Sequence, residues 1–140
     1  LKYPAKAVTK FDERIQKLIA QMEETVREEN GVGLAAPQVG ISKRVILVLL
    51  EEEDRFLPMI NPEILDRQGG EVLGQEGCLS VPGKIGMVKR WDKLTVRYQD
   101  PEGRVQELEA QGMLARIIQH EEDHLNGILF IQRAEQVEDF

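Results

Sequence analysis

The chain has 140 residues, with 18 Lys and Arg against 25 Asp and Glu, a formal charge of −7. An apolar fraction of 41% beside 31% charged residues supports one packed core and excludes a disordered chain, which combines low hydrophobicity with high charge. The acidic balance excludes a DNA binder held by phosphate contacts, and the longest apolar run, six residues from Val45 to Leu50, is far short of the roughly 20 needed to span a membrane.

A single cysteine, Cys78, allows no intrachain disulfide and suits a reducing compartment, so a cytoplasmic location is expected. No basic segment followed by an apolar stretch opens the chain, and no signal peptide is expected. The sequence starts at Leu1 rather than Met, so the true start is expected upstream; an organelle location stays open if a transit segment is missing. No repeat or low-complexity tract divides residues 1–140, which are expected to form a single domain.

The first element is an amphipathic helix from about Lys10 to Glu29, with Ile15, Leu18, Ile19, Met22 and Val26 spaced by three and four. Thr9 to Asp12 resembles a capping box, and Asn30-Gly31 suits a helix stop. Arg44 to Leu50 reads as a buried strand. Glu51 to Arg55 is a solvated loop, and Phe56 to Ile60 is a second strand ending at Asn61-Pro62. Leu94, Val96 and Tyr98 alternate with polar residues in a half-buried strand. Asp100-Pro101-Glu102-Gly103 then has type I turn chemistry, and Val105 to Ala110 is its hairpin partner, with a bulge expected from imperfect alternation. A second helix runs from about Gly112 to Asn126 and stops at Gly127. Ile128 to Ile131 reads as a short final strand. Strands in the middle with a helix near each end predict an α+β domain.

His120-Glu121-Glu122-Asp123-His124 is an HExxH pattern on the second helix, and it uses the only two histidines in the chain. Residues four apart lie about 40° from each other around a helix, so both imidazoles can hold one metal ion. Glu121 flanks them within reach of a bound water, and Glu122 points away. A site that keeps one position open for water needs a third protein ligand. Downstream candidates are Glu135, Glu138 and Asp139; upstream stands Cys78, in Glu76-Gly77-Cys78-Leu79-Ser80. Glu76 and Asp123 are candidates for orienting the histidines, or are ordinary charged residues. A third segment, Gly31 to Gly40, lacks the Lys-Ser/Thr of a phosphate loop. It is small, apolar and carries one amide, Gln38; alone it reads equally as a tight turn into a strand.

Together Gly31-Val32-Gly33-Leu34-Ala35-Ala36-Pro37-Gln38, Glu76 to Ser80 and Gln119 to Leu125 resemble the three signature motifs of the peptide deformylase family, in order and over nearly the whole chain. The resemblance implies a central HExxH-bearing helix surrounded by antiparallel β-sheets. It implies an enzyme that removes the N-formyl group from the initiator methionine of new polypeptides, its substrate an N-formyl-methionyl peptide. By that resemblance Cys78, His120 and His124 hold the metal. Glu121 is the general acid/base for a metal-bound hydroxide, and Gln38 with the Leu79 N–H binds the oxyanion. Gly33 touches the substrate backbone, and Ile117 and Leu79 are expected to line the pocket for the methionine. Ferrous iron is the implied native metal, with zinc, nickel or cobalt as substitutes; the soft thiolate suits iron and zinc alike.

The chain departs from many family members where Ile85 replaces an arginine that helps hold the peptide; Lys84 or Arg90 is then a candidate substitute. By the same resemblance an N-terminal segment of many members is expected to be missing before Leu1, and a C-terminal helix, basic in some of them and docking on the ribosome, after Phe140; ribosome proximity stays possible, but docking by that route is not expected. A monomer is expected. Two rival readings remain at the level of residues: an HExxH peptidase using Glu135 or Glu138 as third ligand, and a non-catalytic metal-stabilised binding domain.

Overall fold

The computed structural model describes residues 3–78 and 81–139, without the side chains of residues 78, 81, 82, 130, 131 and 135–139. Helix α1 (Glu13–Glu28) is followed by β1 (Gly33–Ala35), a short 3-10 turn (Ala36–Val39) and β2 (Val45–Leu50). Two long strands come next, β3 (Arg55–Cys78) and β4 (Val81–Gln99), then β5 (Val105–Gln111). Helix α2 (Met113–Leu125), a single turn α3 (Phe130–Arg133) and β6 (Ala134–Asp139) complete the chain.

The strands form one antiparallel network in the order β1-β2-β3-β4-β5, with β6 along β4. The antiparallel sheets expected from the resemblance are present as one continuous hydrogen-bonded network. Strand β4 is the spine: β3 pairs along it, β5 pairs with its C-terminal part from Lys93 to Gln99, and β6 with its N-terminal part from Lys84 to Val88.

A straight strand of the length of β3 would run about 80 Å, far beyond a domain whose radius of gyration is about 14 Å. Register shifts between Ile60 and Glu63, Ile64 and Asp66, and Gln68 and Glu71 bend it, as bulges do. Gly69 and Gly70 sit at one bend with φ of 78° and 73°, a backbone conformation that glycine adopts without a Cβ penalty.

The apolar run of β2 is explained by burial on both faces. Val45 and Leu47 face α1, packing with Ile15, Leu18, Met22 and Val26. Ile46 and Val48 face α2, packing with Ala115, Ile117, Ile118 and Leu125. One short strand thus carries a helix on each side.

Local chemistry sets most of the boundaries. Asp12, not Thr9, caps α1: its carboxylate accepts from the Arg14 N–H at 3.0 Å, so the helix starts later than expected. Asn30 has φ 55° at the other end. Asp100 closes the β4–β5 turn, accepting from the N–H groups of Glu102 and Arg104 at 2.9 Å each. No bulge interrupts β5; as an edge strand it exposes Val105, which is 64% accessible, and this is why its alternation was imperfect.

Helix α2 ends at Gly127 as expected, with N–H bonds from Gly127 to the His124 carbonyl and from Ile128 to the Asp123 carbonyl at 3.1 and 2.8 Å. This is the paired closure of a Schellman turn. The expected final strand at Ile128 to Ile131 is replaced by α3. The Gln132 side chain accepts the Leu129 N–H at 2.6 Å, and that bond closes a helical turn where apolar β-branched composition suggested a strand.

Met22 is fully buried on α1. Met22→Ala is expected to cost about 2–5 kcal/mol through lost burial and a cavity, measured by urea unfolding. Gln21→Ala on the exposed face of the same helix should stay within about 0.5 kcal/mol.

Candidate active site

Helix α2 approaches the site from the core. Ala115, Ile118 and Leu125 pack inward, and the same packing leaves His120, Glu121 and His124 buried. The two imidazole rings meet edge to face, with centroids 4.9 Å apart at 76° and Nε2 to Nε2 at 3.2 Å. Two nitrogens bound to one tetrahedral ion at about 2.05 Å each stand about 3.3 Å apart. The pair is therefore spaced as two ligands of one cation.

Nδ1 of His120 lies 2.8 Å from Oε1 of Glu76. A carboxylate there keeps the proton on Nδ1 and the lone pair on Nε2. Burial, helped by the charges of His120 and Arg90, lowers the His124 pKa to about 3. The ring stays neutral at neutral pH, which is the form that binds metals. The donor chemistry thus fits a divalent cation.

Glu76 sits near the end of β3 and is buried with its charge. Arg90 on β4 donates Nε and Nη2 to its two oxygens at 2.9 Å each, and Arg116 on α2 donates Nη1 to Oε2 at 2.6 Å. Burial alone would raise this carboxyl; the hydrogen bonds and charges of Arg90 and His120 outweigh it and hold the pKa near 2. Arg90 also donates to Asp123 at 2.5 Å, and Arg133 reaches the same Asp123 oxygen at 2.6 Å. Asp123 therefore supports Arg90 rather than a histidine.

Glu121 lies beside the histidines. Burial pushes its carboxyl up to about 7, with the charge of His120 pulling the other way. Its Oε1 is buried without a hydrogen-bond partner among the described residues. Gly33 on β1 stands directly against it: a Cβ there would lie 2.7 Å from Oε2 of Glu121 and 2.8 Å from Cγ2 of Ile117. In the turn that follows, the Gln38 side chain accepts the Ala35 N–H through Oε1 at 2.8 Å, which fixes the plane of its amide.

Gly33, Gln38, Glu76, Ile117, His120 and Glu121 line one cleft of about 880 Å³, with His124 fully buried next to His120. Three sequence segments far apart in the chain thus meet. Gly77 also lines the cleft, but the Cys78 side chain and all of Leu79 lie outside the described residues. Among the described residues no set of three His, Cys, Asp or Glu side chains forms a metal site. The side chains of the rival ligands Glu135 and Glu138, on β6, also lie outside the description.

Arg90 was a candidate to stand in for an arginine expected where Ile85 stands. It is buried on Glu76 and Asp123, and neither it nor Lys84 lines the cleft. Arg116, which does line it, was missed; its position one turn before His120 was the available signal. Gln119 was named only as the start of the third signature motif and given no role. Its amide accepts the Trp91 N–H at 3.0 Å and donates to the Trp91 carbonyl at 2.8 Å, on the stretch of β4 between its β5 and β6 partners. Glu122, expected to be solvated, is half-buried and accepts from Asn126 at 2.8 Å.

A family model described as polypeptide deformylase matches residues 1–140. The peptide deformylase of Natranaerobius thermophilus is 50% identical over 137 residues, covering 98% of this chain and 87% of that one. Peptide deformylase 1 of Bacillus cereus is 48% identical over 133 residues, with coverages of 95% and 85%. Among solved structures, the peptide deformylase of Synechococcus elongatus in complex with actinonin superposes with a TM-score of 0.92 at 48% identity, covering 97% of this chain and 74% of that one. The Thermotoga maritima peptide deformylase gives 0.91 at 44% identity, covering 96% and 90%.

The metal-free protein should lose stability in acid. Glu76 and His124 are both depressed in the fold, to about 2 and 3 from 4.5 and 6.5. Their contributions are complete above the unfolded values and disappear as pH falls through the folded ones. Glu121, raised from 4.5 to about 7, acts oppositely: its contribution is complete below 4.5 and is lost as pH rises through 7. Unfolding free energy of metal-free protein should therefore fall steeply below pH 4.5, and Glu76→Gln should flatten that slope in denaturant titrations across pH.

Proposed function

The chain belongs to the polypeptide deformylase family, and from that premise we propose that it hydrolyses the N-formyl group of N-formyl-methionyl peptides with a divalent metal. The observation that carries this reading is the convergence on one cleft of His120, the buried Glu121 carboxyl and the Gly33–Gln38 segment, with His124 Nε2 3.2 Å from His120 Nε2. Cys78, His120 and His124 are the residues that would hold the cation. Such an ion supplies Lewis acidity, making a water acidic enough to ionise near neutral pH. Ferrous iron is the proposed native metal, with zinc, nickel or cobalt as substitutes.

The chain's own groups do the rest. Glu121 takes a proton from the attacking water at its carboxylate and returns it to the leaving amine. A carboxyl pushed towards 7 by burial is matched to that exchange at neutral pH. The Gln38 amide nitrogen and the Leu79 N–H hold the carbonyl oxygen as it gains negative charge; one such donor is worth about 3 kcal/mol in the barrier. Gly33 keeps the wall beside Glu121 flat for the substrate backbone, and Ile117 provides apolar surface for the methionine. The formyl carbon carries only hydrogen, so a narrow site at Gly33 favours it over larger acyl groups.

The deciding measurement is formate release from a formyl-Met tripeptide by anaerobically purified, iron-loaded protein. Glu121→Gln should lower kcat at least about 100-fold with metal content unchanged. Retained turnover would remove Glu121 from the chemistry, and absent turnover in metal-loaded wild type would overturn the activity. Cys78→Ala should lose the metal; full retention would favour a ligand from β6.

Gly33→Ala places a methyl group against Glu121 and Ile117. It should reduce kcat about 10-fold or more by displacing the base, measured in the same assay, with the melting temperature as a control for folding.

A further inference from the structure

We infer that Arg116 is a positioning residue for the metal site, acting on His120 through Glu76, and that Gly74 is the space its guanidinium requires. The inference rests on the metal-site reading above and concerns two residues that the signature segments do not contain.

Arg116 projects from α2 one turn before His120 and makes three anchored bonds. Nη1 donates to Oε2 of Glu76 at 2.6 Å and to the Val88 carbonyl at 3.0 Å, and Nη2 donates to the Val72 carbonyl at 2.6 Å. One side chain therefore fastens α2, which carries both histidines, to β3 and β4 together. Strand β3 is the one that delivers Glu76 and leads into Cys78.

The contact with Glu76 is not redundant with that of Arg90. Arg90 holds both carboxylate oxygens from β4. Arg116 holds Oε2 alone, from the same helix as His120, while Oε1 receives His120 Nδ1 at 2.8 Å. Carboxylate and imidazole are thus tied to a single rigid element, and rotation of the carboxyl plane would break a bond on each side. Losing such a partner typically costs 10–100-fold in metal affinity or activity.

Gly74 supplies the independent observation. A Cβ on it would lie 2.7 Å from Cζ and 2.8 Å from Nη2 of Arg116. The obstructed atoms are the end of a flexible side chain, so an added methyl group displaces the guanidinium rather than the backbone. Gly74→Ala therefore disturbs the clamp without deleting its charge.

The test uses cobalt-loaded protein and three variants: Arg116→Met, Arg116→Lys and Gly74→Ala. Cobalt transfer to an excess of chelator and the visible cobalt spectrum are followed beside kcat and KM for the formyl peptide. Arg116→Met should release cobalt about 10–100-fold faster, shift the spectrum and lower kcat with KM within about twofold. Arg116→Lys should recover part of the retention, and Gly74→Ala should move all three readouts in the direction of Arg116→Met. Near-UV circular dichroism of each variant identifies those that fold; if Arg116→Met does not, Gly74→Ala carries the comparison. Cobalt release and spectrum unchanged in a folded Arg116→Met or Gly74→Ala would overturn the inference, as would a rise in KM alone. Wild type that holds cobalt but releases no formate would overturn the proposed activity and leave the chelator readout standing.

Discussion

A single buried carboxylate organises this molecule. Glu76 is removed from water yet stays ionised, because two guanidinium groups and an imidazole converge on it from β4 and α2. Burying a charge this deeply is tolerated only with partners on nearly every lone pair. Each partner is therefore drawn to a definite place: Arg90 to Glu76 and Asp123, Arg116 across the β3–β4 backbone, and His120 with Nδ1 towards the carboxylate. Breaking such a cluster from one side strands the opposite charges, at roughly 3–5 kcal/mol. The orientation of His120 is in this sense a consequence of electrostatic satisfaction in the core.

The strands make that cluster reachable. Neither β3 nor β4 could fit the domain if straight; their bulges coil them so that the end of β3 comes alongside α2. Strand β2, buried on both faces, holds α1 on one side and α2 on the other. Gln119 fills the edge of β4 at Trp91 with its own amide, as a neighbouring strand would. The helix is thereby fastened to the sheet at the residue just before His120.

The division of labour between charge and neutrality is consistent with the proposed hydrolysis. Glu76 is held anionic, His124 is kept neutral, and Glu121 is left near the point where it can hold or release a proton. The three sit within a few side chains of each other; burial sets the state of His124 and Glu121 and is overcome at Glu76. What separates them is the set of hydrogen-bond donors: several for Glu76, and for Oε1 of Glu121 none among the described residues.

The periodicity of α1, the apolar run of β2, the Asp100 turn and the HExxH helix were all readable from the chain, because each depends on residues a few positions apart. Three motifs also pointed to the family, and the comparisons bear that out. The full extent of β3 and β4 was not readable: their polar, glycine-interrupted stretches form strands because long-range pairing satisfies the backbone, not because of local propensity. The turn at Phe130 was decided by a side-chain bond from Gln132 that composition does not announce. Sequence by itself determined which residues are candidates for chemistry here. Only the tertiary structure decided that Arg116 and Gly74 belong beside them, because a guanidinium finds its acceptors by distance in space, and those acceptors lie 28 to 44 residues away along the chain.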